Sequence, residues 1–114
     1  MPPAAGASAL LRIADLPSRG RVHSSGYVGS VTLAPAGAPP RFCAVLDELQ
    51  GVYSDPGAEQ ARRRVRLVWI GQRRIPGLVA GTQVTFEGMV STVQGFPTVF
   101  NPRYEIMGRP EGEQ

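Results

Sequence analysis

The chain predicts an all-β domain, a small closed barrel of five strands with at most short helical turns. Three observations lead there. Apolar residues alternate in short runs bounded by turn residues, with almost no helical period. Glycine (14) and proline (11) together supply 25 of the 114 residues, which suits a turn-rich β domain and not a helical one. The apolar positions of the first extended segment also change parity, from Val22 and Val28 to Val31 and Leu33. A strand does this only with an extra residue, so a bulge or sharp bend is expected near Gly29. A sheet this small must hide its edges, and closure does so while packing alternate side chains inward.

Residues 1–17 read as an arm and a lead-in. Met1 to Ala9 is small and proline-rich, too poor in large apolar groups to pack. Leu10 to Leu16 fits one or two helical turns covering the bottom of a core, and Pro17 stops it. The barrel is expected over residues 18–107. Its first strand runs from about Arg21 to Leu33, followed by the Pro/Ala/Gly connector Ala34 to Pro40. The second, Phe42 to Asp47, carries Phe42, Ala44 and Leu46 on one face. Leu49 to Ala61 is a polar connection with a turn at Ser54-Asp55-Pro56-Gly57.

In the third strand, Arg62 to Ile70, Val65, Leu67 and Trp69 point one way and Arg64, Arg66, Val68 and Ile70 the other. Gly71 to Gly81 reads as an ordered loop or a single helical turn around Ile75-Pro76-Gly77-Leu78-Val79. The fourth strand, Thr82 to Val93, offers Val84, Phe86 and Val90, and Gln94-Gly95 fits a tight hairpin. The fifth, Phe96 to Asn101, ends at Pro102, with Tyr104-Glu105-Ile106 continuing beyond the break. Residues 108–114 are a polar tail. No internal repeat is visible. A long first strand bent by glycine and serving both halves of a five-stranded Greek-key barrel is the signature of the OB-fold.

Composition closes several functional classes. At 12.2 kDa the chain holds one domain. No apolar run approaches the ~18 residues of a membrane span, and no basic region precedes a long apolar stretch at the N-terminus, so a cytoplasmic protein without membrane contact is expected. With only Cys43 and His23, a structural zinc site lacks ligands. Cys43, in the run Phe42-Cys43-Ala44-Val45-Leu46, reads as an ordinary half-buried thiol, and His23 as a plain strand histidine. No glycine-rich dinucleotide fingerprint, phosphate loop or zinc-protease motif is present, so neither catalysis nor a cofactor is expected.

The charge is more telling. Arginine supplies all twelve basic residues, a skew that a GC-rich genome can also produce, and the net charge is a modest +3. Its placement is uneven. Arg62, Arg63, Arg64, Arg66, Arg73 and Arg74 are half the arginines, with no acid between them. A basic segment in a nearly neutral chain points to an anionic partner.

Phe42 to Asp47, Arg66-Leu67-Val68-Trp69-Ile70, Pro76-Gly77, Val79 to Val84, Glu87-Gly88-Met89-Val90 and Asn101-Pro102-Arg103-Tyr104-Glu105, in this order and spacing, resemble an OB-fold nucleic-acid-binding domain. The resemblance spans Gly20 to Ile106. It is closest to the wedge domain of the RecG branch-migration helicase and to small stand-alone OB proteins of high-GC bacteria. The chain departs from that pattern in having no helicase motor, a longer connection from Glu48 to Ala61, and Asn101 where the wedge often has histidine.

The resemblance implies a non-enzymatic module that binds single-stranded DNA or RNA by pairing a cationic groove with aromatic platforms. Arg62, Arg64, Arg66, Arg73 and Arg74 would neutralise phosphates, with guanidinium planes also able to stack on bases. Tyr27, beside the expected bulge, and Phe96, beside the Gln94-Gly95 turn, are the stacking candidates. The alternative for the arginines is a solvated strand face guarding the sheet against aggregation. Trp69, Phe42, Phe86 and Phe100 are expected in the core, and Tyr104 under the barrel. Base specificity should be low, and a partner protein, self-association or a second module should add avidity. The other functional reading is a protein-interaction module that meets an acidic partner through Val68, Ile70 and the arginines.

Overall fold

The computed structural model describes residues 10–48 and 64–109. Six strands follow a single 3₁₀ turn at Ile13–Asp15: β1 (Gly20–Leu33), β2 (Arg41–Asp47), β3 (Arg64–Ile70), β4 (Gln83–Val93), β5 (Phe96–Phe100) and β6 (Arg103–Gly108). The ring closes as β1-β2-β3-β5-β4 and back to β1. All neighbours are antiparallel except β3 and β5, which run parallel from Arg66/Thr98 to Val68/Phe100. This is the five-stranded barrel the alternation predicts.

One long strand serves both halves. Residues 20–27 of β1 pair with β4, and residues 27–33 pair with β2. Between them the register slips from Val28 to Ser30, the bulge expected at Gly29. At Gly29 an added Cβ would meet the Asp47 carboxylate, the movable end of a side chain, so the glycine leaves room for that carboxylate at the bend. At Gly26 a Cβ would meet the Ile13 side chain at 2.7 Å. That gap lets Ile13, 1% exposed, plug one end of the barrel. The lead-in is tied down there by the Leu11 N–H, which donates to the His23 carbonyl at 2.7 Å, and by the Ser24 hydroxyl, which donates to the Leu11 carbonyl at 2.6 Å.

Gln94 and Gly95 both have positive φ, as a two-residue hairpin with the twist of its strands requires. The break at Asn101-Pro102 separates β5 from β6, which resumes along β4 from Glu87/Arg103. Asn101 sits at φ 51°, a left-handed position that asparagine tolerates. Its N–H donates to the Val68 carbonyl at 2.6 Å, and its side-chain carbonyl accepts from the Ile70 N–H at 2.9 Å. Asn101 thus ends the parallel ladder by clamping β3.

The inward set is as expected: Phe42, Ala44, Leu46, Val65, Leu67, Trp69, Val84, Phe86 and Val90 are all buried. Trp69 packs edge-on against Phe42 (5.9 Å between centroids) and Tyr104 (5.6 Å), and its indole N–H donates to the Pro102 carbonyl at 3.2 Å. The 71–82 loop is ordered by Ile75 and Leu78, both buried in the core. Two expectations are corrected. Phe100 is 43% exposed and not in the core: on β5 it shares the outward parity of Phe96 and opposes that of the buried Val99, while Thr98, also outward, is fully buried. Val68 points outward but is fully buried, flanked in register by Cys43 and Phe100 and held from behind by Asn101. Among the described residues no helix is long and apolar enough to cross a membrane.

Candidate nucleic-acid interface

Alternation sends Arg41, Cys43, Val45 and Asp47 of β2 to the outer surface, with Arg64, Arg66, Val68 and Ile70 of β3 beside them. The register aligns these into rows. Tyr27, Asp47 and Arg64 form one end. Ser30, Val45, Arg66 and Thr98 form the next row, then Thr32, Cys43, Val68 and Phe100, and finally Arg41 beside Ile70.

The expected site residues fall on this face unevenly. Arg66 and Phe96 come together: the guanidinium carbon lies 4.6 Å from the ring centroid, a cation–π pair. Arg64 lies on the face, but its Nε donates to Asp47 Oδ1 at 3.0 Å. With 36% of the Arg64 side chain and 21% of Asp47 exposed, such a pair is worth about 0–1 kcal/mol. It dilutes the positive field there without removing it. Tyr27 is half-buried in the same row, beside Asp47. Arg73 and Arg74 lie past the end of β3 and are both exposed. Arg73 reaches the connector after β1, donating to the Ala38 carbonyl at 3.1 Å. Arg62 lies outside the described residues.

One cation escaped sequence reasoning. Arg41 is exposed and outward, opposite Ile70 at the end nearest Arg73. With the connector read as ending at Pro40 and the second strand as starting at Phe42, it falls in neither. Its parity with Cys43, Val45 and Asp47 is the signal that finds it. Cys43 senses both neighbouring charges: burial raises its thiol pKa, and Arg66 and Arg41 pull it partly back. Among the described residues, Asp47 is the one carboxylate in these rows, and Arg41, Arg66, Arg73 and Arg74 form no ion pair.

The face built on β1, β4 and β6 differs. His23, Glu87 and Arg103 align in one row, and Ser25, Thr85 and Glu105 in the next. Arg21 pairs with Glu87 at 3.5 Å. An open groove of about 310 Å³ runs along it, lined in part by His23, Glu87 and Tyr104. Among the described residues no three His, Cys, Asp or Glu side chains gather as metal ligands. No protein-family model, no curated protein and no solved structure matches the chain.

Proposed function

We propose that the outer face of β2, β3 and β5 binds single-stranded nucleic acid with little base specificity, and that the protein is a non-enzymatic OB-type module. The observation that carries this is the excess of cations around an aromatic centre: Arg66 lies over Phe96, with Arg41 on the same sheet and, among the described residues, a single carboxylate to oppose them. Phosphates need counter-charge, and any base can stack on a ring or on a guanidinium plane, so this pairing suits a ligand of repeating phosphate and variable base. Arg73 and Arg74 extend the positive surface past Ile70, and Phe100 offers a second ring. Among the described residues nothing on this face resembles a helix that reads base edges, which fits low specificity.

Fluorescence anisotropy of a labelled oligonucleotide across a salt series tests the reading. Affinity should fall with salt at a log–log slope of about −0.7 per neutralised phosphate, and the Arg41→Ala/Arg66→Ala double variant should flatten it. No binding at low salt, or an unchanged slope in the double variant, removes the proposal.

A second reading rests on Ile70 and Phe100, 52% and 43% exposed beside the arginines. These would suit an acidic protein surface with apolar content. An acidic peptide that binds while oligonucleotides do not would favour it.

A further inference from the structure

Val31 and Leu33 combine two features at one place. Pairing of β1 with β4 ends at Tyr27, and from Ser30 to Leu33 the strand pairs with β2 alone. No described residue pairs with its other edge there. The hydrogen-bond phase identifies the open groups. The Ala34 N–H donates to the Arg41 carbonyl at 3.1 Å. By antiparallel alternation Thr32 and Ser30 also direct their backbone groups at β2, and Val31 and Leu33 direct theirs out of the sheet. The side chains of the same two residues are 39% and 53% exposed.

Sheet edges are usually defended by charge, by proline, by a bulge or by very short length; here the bulge at Gly29 lies before the open stretch. Residues 29–34 contain neither a charged residue nor a proline, and Pro35 is the first stop.

We propose that this edge joins two copies of the chain, antiparallel, about a twofold axis at Thr32. Val31 of one copy then faces Leu33 of the other. Their open N–H and C=O groups pair reciprocally, and the exposed apolar side chains cover one another on one surface. Pro35, lacking an N–H, ends the ladder. A second copy fits this edge for two reasons: the segment is uncharged, so no like charges meet, and its spacing is complementary to itself.

The pairing also has a geometric consequence. A twofold axis perpendicular to the sheet keeps both outer faces on the same side, so β3-β2-β1 of one copy continues into β1-β2-β3 of the other. Two Arg41/Arg66 surfaces would share one sheet, giving an extended strand two attachment points. That consequence rests on the proposed function; the pairing does not.

The test therefore uses the full chain without nucleic acid. Sedimentation across a wide concentration range should show a species of twice 12.2 kDa that dissociates on dilution. Leu33→Lys and, separately, Val31→Lys should each weaken association by about tenfold or more, while Met89→Lys, on another strand and also exposed, should leave it intact. Amide exchange at Val31 and Leu33 should slow as concentration rises. A monomer at every concentration overturns the proposal, as does a dimer indifferent to both lysines. Slow exchange at these amides in a monomer also overturns it, because the edge is then covered from within the chain.

Discussion

The two outer faces of the barrel obey one rule of alternation and differ in what they carry. On the face of β1, β4 and β6, cations and acids come in step: Arg21 with Glu87, Glu87 opposite Arg103, and Glu105 two residues further along. On the face of β2, β3 and β5, Asp47 stands against Arg41, Arg64 and Arg66, and two partly exposed rings lie among them. Folding needs the inward set alone, so it does not account for this imbalance. Interspersed charge is what a solvated sheet surface ordinarily carries. The departure on one face only is the reason to place a ligand there.

The largest expected effect strikes what both faces share. Trp69→Ala deletes the ring that Phe42 and Tyr104 pack against and the donor that satisfies the Pro102 carbonyl. Truncation of a buried aromatic costs about 3–5 kcal/mol. Chemical denaturation should show that loss, and both faces should disappear in one transition. A folded variant of near wild-type stability would mean that the aromatic cluster does not hold the barrel.

Phe96→Ala breaks the comparison at its aromatic centre. A stacked base contributes about 1–3 kcal/mol, so oligonucleotide affinity should drop by that amount while stability changes little, since the ring is only partly buried. If affinity is untouched, Phe96 is merely a support for Arg66. Charge comes next. Arg41→Ala/Arg66→Ala should reduce the salt slope by about 1.4, two phosphates at about 0.7 each. Arg21→Ala/Arg103→Ala removes the same formal charge from the balanced face and should leave the slope nearly unchanged. Equal losses from both pairs would show that net charge, and not the face, governs binding.

How much of this was legible in the sequence follows from what alternation can say. It assigns each strand residue to a side, so the inward positions of β2, β3 and β4 and the outward arginines are readable, and the parity change locates the bulge at Gly29. Alternation does not say what covers a side. Val68 is outward and yet buried, on a strand that Asn101 clamps and β5 flanks through a parallel pairing of segments distant in sequence. Phe100 fails for the opposite reason: its size suggests core, while its parity puts it outside. Likewise the Arg66–Phe96 pair could be named only as two separate candidates, since their meeting depends on the β3–β5 register. Asp47 escaped notice as a partner of Arg64 because nothing local links them across 17 positions.

That last pair gives the smallest and most discriminating test of the comparison. Asp47 does two things: it accepts from Arg64, and its carboxylate fills the space above Gly29 at the bulge. Asp47→Asn keeps the shape and a hydrogen-bond acceptor while removing the charge. Loss of a part-exposed ion pair should lower stability by less than about 1 kcal/mol. On the binding face the sign reverses, because the one carboxylate that the described residues set against the arginines is gone and Arg64 becomes available to phosphate. Affinity at low salt should rise, and the salt slope should steepen by about 0.7 as one more phosphate is neutralised. Glu87→Gln, the matching change on the balanced face, should raise neither. If the two neutralisations act alike, the arginines of β3 offer no special attraction and the imbalance between faces is without consequence for binding.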